Sequence, residues 1–380
     1  MSKATVVKAV RNARNAVAIN FNRVMRREFI PRQAGFLNIE TSSVCNLKCC
    51  FCAYPKKHSP KITMRDAYFE NYVGQALDMG YRHFDLTPCT GDIFMDRHIF
   101  NKLEFLESNP RVQSYLFFTN FTVPKTKDIE RLFSLNKISG ITISVYGHDL
   151  PSFLAVTNST EKVYRRLVRN LETLYGLLGQ RKFQLRLGFH EARRRFHRSR
   201  SDLTRIVEKI EKAGVAVRRY KSVYNNWGGF ITKEDVAGLP IEVGSNDEIY
   251  KNGACVRLLT AVQIMSTGIV NGCACRDPDA TLRIGNLKEK PLREILSAKN
   301  PAYMQLIAEQ QKGEFQPVCK SCDFYASIYH KSSGYRKSGT ELQSLSEFIA
   351  ELDARPADGS RGKVIGAAPA PFPHPSPQAG

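Results

Sequence analysis

Three of the ten cysteines in this 380-residue chain stand close together near its N-terminus. Cys45, Cys49 and Cys52 form the pattern C-x3-C-x2-C. Three thiolates at this spacing can bind one [4Fe–4S] cluster and leave its fourth iron without a protein ligand. Structural zinc prefers four ligands, typically in paired C-x2-C units, so the spacing favours a cluster over zinc or incidental buried cysteine. Cys50 falls outside the spacing, and we interpret it as a packed bystander.

A second group of cysteines lies in the C-terminal third of the chain. Its pattern is C-x17-C followed by a distant C-x2-C, formed by Cys255, Cys273, Cys319 and Cys322. Four thiolates make a closed site, which either zinc or a [4Fe–4S] cluster satisfies. Cys275 is an alternative or additional ligand. Because clustered cysteines in a reducing compartment indicate metal or redox chemistry rather than disulfides, and no secretory signal is recognised, we expect a cytoplasmic protein.

The segments around these cysteines predict an α/β fold. Short β-like runs alternate with helical runs between residues 35 and 221, which indicates βαβ units and a parallel sheet. The six strands are expected at Phe36–Thr41, His83–Thr87, Ser114–Thr119, Gly140–Val145, Phe183–Phe189 and Val215–Tyr220. The helices are expected at Met64–Met79, Arg97–Leu106, Lys127–Leu135, Glu161–Leu178 and Ser201–Ala213. A full eight-stranded barrel needs about 250 residues, so six repeats predict a partial (β/α)6 TIM-type barrel.

Composition divides the rest of the chain. Residues 1–34 form a basic amphipathic helix, which either packs across the bottom of the barrel or makes peripheral contact with a membrane surface. We assign residues 35–230 to the barrel, 231–335 to a small α+β cysteine-rich domain and 336–355 to a closing helix. Residues 356–380 are rich in Pro, Ala and Gly, and we predict a disordered tail.

The net charge is +20, and much of the excess is local. One group of arginines lies in the first segment and another lies between residues 193 and 200. They are Arg11, Arg14, Arg23, Arg26 and Arg27, then Arg193, Arg194, Arg195, Arg198 and Arg200. We interpret most of this charge as solvated surface, with attraction of anionic substrates, nucleic acid or anionic lipid as the functional alternatives. No nucleic-acid-binding module is recognised, so we expect no nucleic-acid partner.

The stretch from Cys45 to Cys52, with Asn-Leu after the first cysteine and Phe51 before the last, resembles the radical SAM superfamily. The resemblance implies a [4Fe–4S] cluster that binds S-adenosylmethionine (SAM), with Phe51 near the SAM adenine. It also places SAM contacts at the ends of the following strands, where this chain has Gly91, Asp92, Thr119, Asn120, Ser144 and Arg186. Thr90-Gly91-Asp92 departs from the Gly-Gly-Glu type motif of the family.

The second cysteine group resembles the SPASM/Twitch extension of radical SAM enzymes. The likeness lies in the run from Gly268 to Cys273, then Arg276-Asp277, Ile284 to Leu287, and the pair Cys319 and Cys322. No cysteine follows Cys322, so the chain resembles the shorter Twitch form. This implies one auxiliary [4Fe–4S] cluster held by Cys255, Cys273, Cys319 and Cys322.

By resemblance, the chemistry is reductive cleavage of SAM to a 5′-deoxyadenosyl radical, followed by oxidation of a substrate. Oxidation requires a base, for which His190 is the leading candidate, ahead of Tyr146, Asp92 and His148. We expect a small, sugar-like and anionic substrate and an electron donor such as flavodoxin or ferredoxin. A peptide- or protein-modifying enzyme, an RNA-modifying enzyme and a non-enzymatic zinc-binding protein are the alternatives.

Overall fold

The computed structural model describes residues 3–32, 35–191, 200–221, 223–246, 249–274 and 276–354. The strands are β1 (Ile30–Pro31), β2 (Phe36–Ile39), β3 (His83–Asp85), β4 (Ser114–Thr119), β5 (Ile138–Tyr146), β6 (Gln184–Glu191), β7 (Ala216–Lys221), β8 (Val223–Tyr224), β9 (Glu242–Val243), β10 (Gln263–Ile264), β11 (Ile269–Asn271), β12 (Arg283–Asn286) and β13 (Leu342–Gln343). The helices are α1 (Lys3–Val24), α2 (Asp66–Asp78), α3 (Ile99–Ser108), α4 (Thr126–Ser134), α5 (Leu150–Thr157), α6 (Glu161–Leu177), α7 (Asp202–Lys212), α8 (Val256–Thr260), α9 (Leu292–Ile295), α10 (Pro301–Lys312), α11 (Pro317–Ser321), α12 (Ser333–Ser338) and α13 (Leu345–Ala354).

Six parallel strands, β2 to β7, lie side by side in chain order. Each is joined to the next by a segment that contains at least one helix, so the predicted partial (β/α)6 barrel is confirmed. Buried and less buried positions alternate along β5, as expected of a strand with helices packed on one face. All six strands and five helices expected between residues 35 and 221 are present, with ends displaced by three residues or fewer.

The C-terminal third extends the same sheet. Strand β10 pairs in parallel with β2, with Gln263 opposite Asn38, and β11 and β12 follow in antiparallel order. The small α+β region predicted from residue 231 therefore joins the barrel sheet at its first strand. The predicted boundaries at residues 34, 230, 335 and 355 stay predictions.

The two ends of the described chain meet at one side of the sheet. Strand β1 pairs with β13, with Ile30 opposite Gln343. Helix α13 places Phe348 and Leu352 against Phe36 and Tyr81, which lie at the amino ends of the first barrel strands. The C-terminal helix therefore lies at the amino ends of these strands.

The N-terminal segment forms helix α1, Lys3–Val24. Its hydrogen bonds reach the C-terminal third, where its Asn22 donates to the Tyr329 carbonyl at 3.0 Å, and its Ile19 is buried in the core. Packing of this helix across the bottom of the barrel stays a prediction. Among the helices of the described residues, none is long and apolar enough to cross a bilayer.

Some predicted features lie outside the described residues, namely Arg193, Arg194, Arg195, Arg198, Cys275 and the tail 356–380. Four helices of the described residues, α5, α8, α10 and α11, were not expected from the sequence. Helix α5 is short and has Pro151 at its second position, while its Asp149 cap exchanges hydrogen bonds with Ser152. Helix α10 is capped by Asn300 and begins with a proline.

Candidate iron–sulfur centres

The first cysteine group occupies the loop between β2 and α2, at the carboxyl end of the parallel sheet. Its thiols receive donors from the loop itself. The Leu47 amide points to Cys45 Sγ at 3.5 Å and the Tyr54 amide to Cys52 Sγ at 3.4 Å. Cys49 is buried beside them. The structure therefore brings together the three cysteines that the sequence predicted as ligands.

Burial raises the pKa of all three thiols. The value rises to about 12 for Cys45 and to about 11 for Cys52. The pKa of Cys49 is also raised, first by burial and then by the charges of Cys52 and Cys45. Thiols that disfavour one another's ionisation become thiolates only beside a cation. An iron–sulfur cluster supplies that positive charge, so the donor set fits the group.

Asp92 is a buried carboxylate that organises the neighbouring strand ends. Its Oδ2 accepts from the Thr119 hydroxyl at 2.9 Å and the Asn120 amide at 2.7 Å, and its Oδ1 accepts from Phe94 N at 3.0 Å. Burial raises its pKa to about 6, against the effect of these donors. Because three donors already engage it, the structure places Asp92 as a support rather than as a free base.

Asn120 connects this support to the cysteine loop. Its Nδ2 lies 3.1 Å from Asn46 Oδ1 and 3.8 Å from Cys45 Sγ. Its Oδ1 accepts from the Thr122 amide at 2.9 Å. The polar groups that the resemblance assigned to SAM therefore hold the loop in place in this structure.

Gly91 allows this support to approach the loop. It has a φ of +136°, and a Cβ there would meet the Ser42 carbonyl oxygen at 2.6 Å. The next amide, of Asp92, donates to the Val44 carbonyl at 2.8 Å. A side chain at residue 91 would therefore displace the backbone that leads into Cys45.

Aromatic rings form a wall beside the cysteine loop. Phe51 stacks on Tyr224 with ring centroids 3.9 Å apart, and Tyr224 continues to His190 at 5.2 Å. Tyr220 covers the other side of His190 at 4.7 Å. Tyr146 packs against both Phe51 and His190. Strand register explains how three of the rings come together, because Tyr146, His190 and Tyr220 pair across β5, β6 and β7.

The two other predicted SAM contacts differ in position. The Ser144 side chain lies close enough to the Tyr146 phenol to lower its pKa against the effect of burial, so Ser144 lies beside the wall. Arg186 donates to Gln184 Oε1 at 2.8 Å. It lies four residues before His190 on β6, which is about 13 Å along a strand. The structure does not bring Arg186 to the cysteine loop through any described contact.

The second cysteine group combines distant segments. Gln310 of α10 joins two of them, because its Nε2 donates to Cys319 Sγ at 3.4 Å and its Oε1 accepts from Cys255 N at 2.9 Å. Burial, and after it the charges of Cys255 and Cys322, raise the pKa of Cys319 to about 12. The Phe324 amide donates to Cys322 Sγ at 3.2 Å. Three of the four predicted ligands therefore face one another.

Cys273, the fourth, packs against the same core as Cys255 and Cys319. Lys251 brings a positive charge to the group, with its Nζ 2.8 Å from the Cys319 carbonyl oxygen. Burial lowers the pKa of Lys251, whereas the thiols act in the opposite direction. Within the described ranges, no three Cys, His, Asp or Glu side chains are grouped so that they could hold a single metal ion.

One arginine lies between the two cysteine groups. Arg276 is buried, with its guanidinium carbon 5.2 Å from the Trp227 ring and 4.3 Å from the Phe324 ring. Trp227 Nε1 donates to the Phe51 carbonyl at 2.9 Å. Burial raises the pKa of both Cys52 and Cys322, and the charge of Arg276 partly offsets this at each thiol. Arg276 therefore acts on both centres.

Glu40 links the end of β2 to the turn between β10 and β11. Its carboxylate accepts from the Ser266 hydroxyl at 2.9 Å, the Ser266 amide at 3.2 Å and the Cys89 amide at 3.1 Å. Burial raises its pKa, and the buried Lys57 opposes that rise. The charge of Lys57 also acts on Cys52. Glu40 and Lys57 thus connect the first centre to the C-terminal third.

Five residues of the site were not predicted as its members from the sequence, namely Trp227, Arg276, Glu40, Lys57 and Gln310. Trp227 had a signal, because it is the only tryptophan of the chain and precedes two glycines. Gly228 has a φ of +63°, and a Cβ there would meet the Val318 side chain at 2.5 Å, so the stretch packs on the helix that carries Cys319. Glu40 also had a signal, as an acidic residue that ends an apolar strand. Gln310 had none.

Comparison with known families supports the second centre. Residues 255–323 match the family model of SPASM, described as an iron–sulfur cluster-binding domain. The iron–sulfur extension predicted from the second cysteine group is therefore confirmed, and its resemblance to the extension of radical SAM enzymes agrees with the match. Among curated proteins, none matches the chain.

Several solved structures are similar in fold. BtrN in complex with AdoMet and 2-DOIA is 14% identical, with a TM-score of 0.49 over 79% of this chain and 96% of that chain. SuiB of Streptococcus suis bound to S-adenosylmethionine is 17% identical, with a TM-score of 0.45 over 79% and 76%. A structure of anSMEcpe with AdoMet and the Cp18Cys peptide is 16% identical, with a TM-score of 0.48 over 84% and 96%.

Proposed function

We propose that this protein is a radical SAM oxidoreductase that dehydrogenates a small, sugar-like molecule. One observation carries the proposal. Three mutually interacting thiols lie on one loop at the carboxyl ends of the barrel strands, and a separate cysteine group matches an iron–sulfur domain. A barrel places its active site at this end. The two cysteine groups have different chemical tasks in this proposal.

Cys45, Cys49 and Cys52 would hold the first cluster, and Cys255, Cys273, Cys319 and Cys322 the second. When bound, the first cluster and SAM would supply a 5′-deoxyadenosyl radical, and the second cluster would accept an electron. The chain's own residues orient these groups. Asp92 and Asn120 hold the cysteine loop, while Gln310 and Lys251 hold the second group.

The aromatic wall is the proposed binding surface. Phe51 presents a flat ring stacked on Tyr224, which suits the adenine of SAM. Sugar-like rings also pack against aromatic faces, and the hydroxyl groups of Tyr146 and Tyr220 add polar contacts. The Tyr146 phenol stays protonated at neutral pH, because burial raises its pKa well above its usual value. It can therefore donate a hydrogen bond but cannot serve as the base.

His190 is the proposed base. It lies at the carboxyl end of β6, between the Tyr220 and Tyr224 rings. A substrate alcohol would become a ketone by losing a hydrogen atom from carbon to the 5′-deoxyadenosyl group, an electron to the second cluster and the hydroxyl proton to His190. Asp92 is less suited, because three donors already engage it. His148 is paired with Asp149, with Nε2 3.3 Å from the carboxylate.

The decisive experiment is anaerobic reconstitution with iron and sulfide, followed by dithionite and SAM. We expect about eight irons per chain from two four-iron clusters, with formation of 5′-deoxyadenosine and methionine. A panel of sugars, cyclitols and nucleotide sugars should then contain a compound that loses two hydrogens. Absence of 5′-deoxyadenosine from a fully loaded protein would contradict the proposal.

The histidines provide a matched test of the base. His190→Gln should retain SAM cleavage but lower the rate of product formation at least about a hundredfold, as expected for loss of a general base. His148→Gln is the control and should change neither rate. If His148→Gln removed product formation and His190→Gln did not, the assignment of the base would be wrong.

A further inference from the structure

Helix α1 is packed with its polar side towards the protein. Its Asn20 Oδ1 accepts from Tyr250 and Asn252, each at 2.8 Å. Arg23 Nη2 donates to the Gln311 carbonyl at 3.0 Å. In the part of the helix whose side chains are described, residues 10–24, Ile19 alone is buried. The helix is thus attached mainly by hydrogen bonds rather than by an apolar face.

The opposite side of α1 is apolar and exposed. Val10, Val17, Phe21 and Val24 are 56%, 69%, 55% and 81% exposed. Successive residues of a helix turn by about 100°, so these four lie within one stripe about 60° wide, and Ile19 points to the other side. We call them the α1 stripe. An amphipathic helix normally buries such a stripe against its own core.

Positive charge accompanies the α1 stripe. The first 27 residues contain seven basic side chains and no Asp or Glu, the basic ones being Lys3, Lys8, Arg11, Arg14, Arg23, Arg26 and Arg27. Arg14 is exposed and lies on the same side as the stripe. Met25, 49% exposed, extends the apolar surface beyond the helix end. Apolar and cationic groups are therefore presented together.

We propose that helix α1 docks this protein on an anionic phospholipid surface, with the α1 stripe inserted at the level of the headgroups. The stripe would leave water, and the flanking arginines would meet lipid phosphates. A second copy of the chain would bring seven more cations against the first seven. The phosphates of a nucleic acid would attract the basic side chains, but three valines and a phenylalanine would remain exposed to water. Anionic lipid is the occupant that matches both properties.

The test is flotation of the full-length protein with vesicles. We expect binding to vesicles made of phosphatidylcholine and phosphatidylglycerol, and much less to phosphatidylcholine alone. The double variant Val17→Ser/Phe21→Ser should weaken binding to the anionic vesicles about tenfold or more, because it removes apolar area. Arg11→Gln/Arg14→Gln should weaken it about tenfold, and added salt should weaken the wild type.

Helix α6 supplies matched controls, because it also carries exposed side chains. Tyr175→Ser removes an apolar group that is 41% exposed, and Arg166→Gln/Arg169→Gln removes two exposed charges. Both should bind vesicles like the wild type. Thermal unfolding of every variant checks that each has folded, which is expected because the changed side chains are exposed.

Three outcomes would overturn the proposal. Wild-type protein that does not float with anionic vesicles at low salt would do so. So would a Val17→Ser/Phe21→Ser variant that binds as well as the wild type. The third is a dimer in sedimentation velocity that this variant turns into a monomer without any effect on vesicle binding, which would assign the α1 stripe to a second copy.

Discussion

The two cysteine groups are built in opposite ways. Cys45, Cys49 and Cys52 come from eight consecutive residues, on one loop whose own amides point to two of the thiols. The second group combines the start of α8, the residue two positions after β11 and the helix α11. Gln310 of α10 joins two of these segments through its hydrogen bonds to Cys255 and Cys319. One centre is local, and the other depends on long-range packing.

This difference has a chemical counterpart. A loop with three thiols leaves one iron of a cluster free for an exchangeable ligand, whereas four thiols from several segments enclose a cluster. The local loop can be held by a few polar neighbours, such as Asn120 and Asp92. The enclosed centre instead requires a folded C-terminal third. We therefore expect the two centres to respond differently to the same kind of change.

The largest expected effect comes from removing the cysteines of one centre at a time, which should abolish the activity of that centre and leave the other intact. The triple variant Cys45→Ala/Cys49→Ala/Cys52→Ala should keep roughly half of the iron and lose all SAM cleavage. The pair Cys319→Ala/Cys322→Ala should also keep roughly half of the iron, but it should still form 5′-deoxyadenosine while losing oxidised product. Iron and sulfide analysis with product assay measures both. Loss of all iron in the triple variant would show that the centres are not independent.

Next in size is the effect of Asp92 on SAM affinity. Asp92→Asn places an amide donor among three hydrogen-bond donors, which should disturb the Thr119–Asn120 strand end. We expect about tenfold weaker SAM binding, with unchanged iron at the second centre. Equilibrium dialysis at pH 7.5 is suitable, because the pKa of Asp92 is raised only to about 6 and the wild-type carboxyl is then ionised.

Asp85→Asn is the matched control for Asp92. Burial also raises the pKa of Asp85 to about 6, and Asp85 Oδ1 accepts from the amide of Thr87, two residues later in the chain, at 2.9 Å. Because the folded pKa is raised, the stability that Asp85 contributes is present at low pH and decreases as the pH rises through about 6. Asp85→Asn should therefore raise thermal stability at pH 7.5 and leave SAM affinity unchanged. Equal loss of affinity in both variants would remove the special role of Asp92.

A smaller effect, on reduction potential, should appear at both centres. Arg276 carries a buried positive charge between Trp227 and Phe324, so Arg276→Gln should lower the reduction potentials of both clusters by tens of millivolts. Redox titration followed by electron paramagnetic resonance measures the two potentials separately. Arg257→Gln is the control, because Arg257 lies 3.9 Å from the Phe324 ring on the side of the second centre. It should shift the second potential only.

The local centre and the barrel were the parts that the sequence could predict. Strands such as β4 and β6 carry apolar residues in a short run or at alternate positions, and the cysteine spacing is contained in one loop. Strands β10 and β11 have two and three residues, too few for a periodic pattern, so their addition to the sheet beside β2 was not foreseen. Gln310 was missed for the same reason, since its partners are distant in sequence, and Arg276 entered only as part of the SPASM/Twitch likeness, without a role. For α1, the spacing of apolar residues predicted a helix. The spacing does not show which side of that helix packs against the rest of the protein and which side stays exposed.

The smallest expected effect concerns the packing that makes the second centre. Gln310→Ala removes the donor to Cys319 Sγ and the acceptor for the Cys255 amide, so iron should leave the second cluster a few times faster. Gln305→Ala, an exposed change on the same helix, is the control. Release of iron to a chelator gives two rates, and only the rate of the enclosed second centre should change. If the first centre responded equally, the loop around Cys45 would depend on the C-terminal third as much as the second group does, and the distinction between a local and a long-range centre would fail.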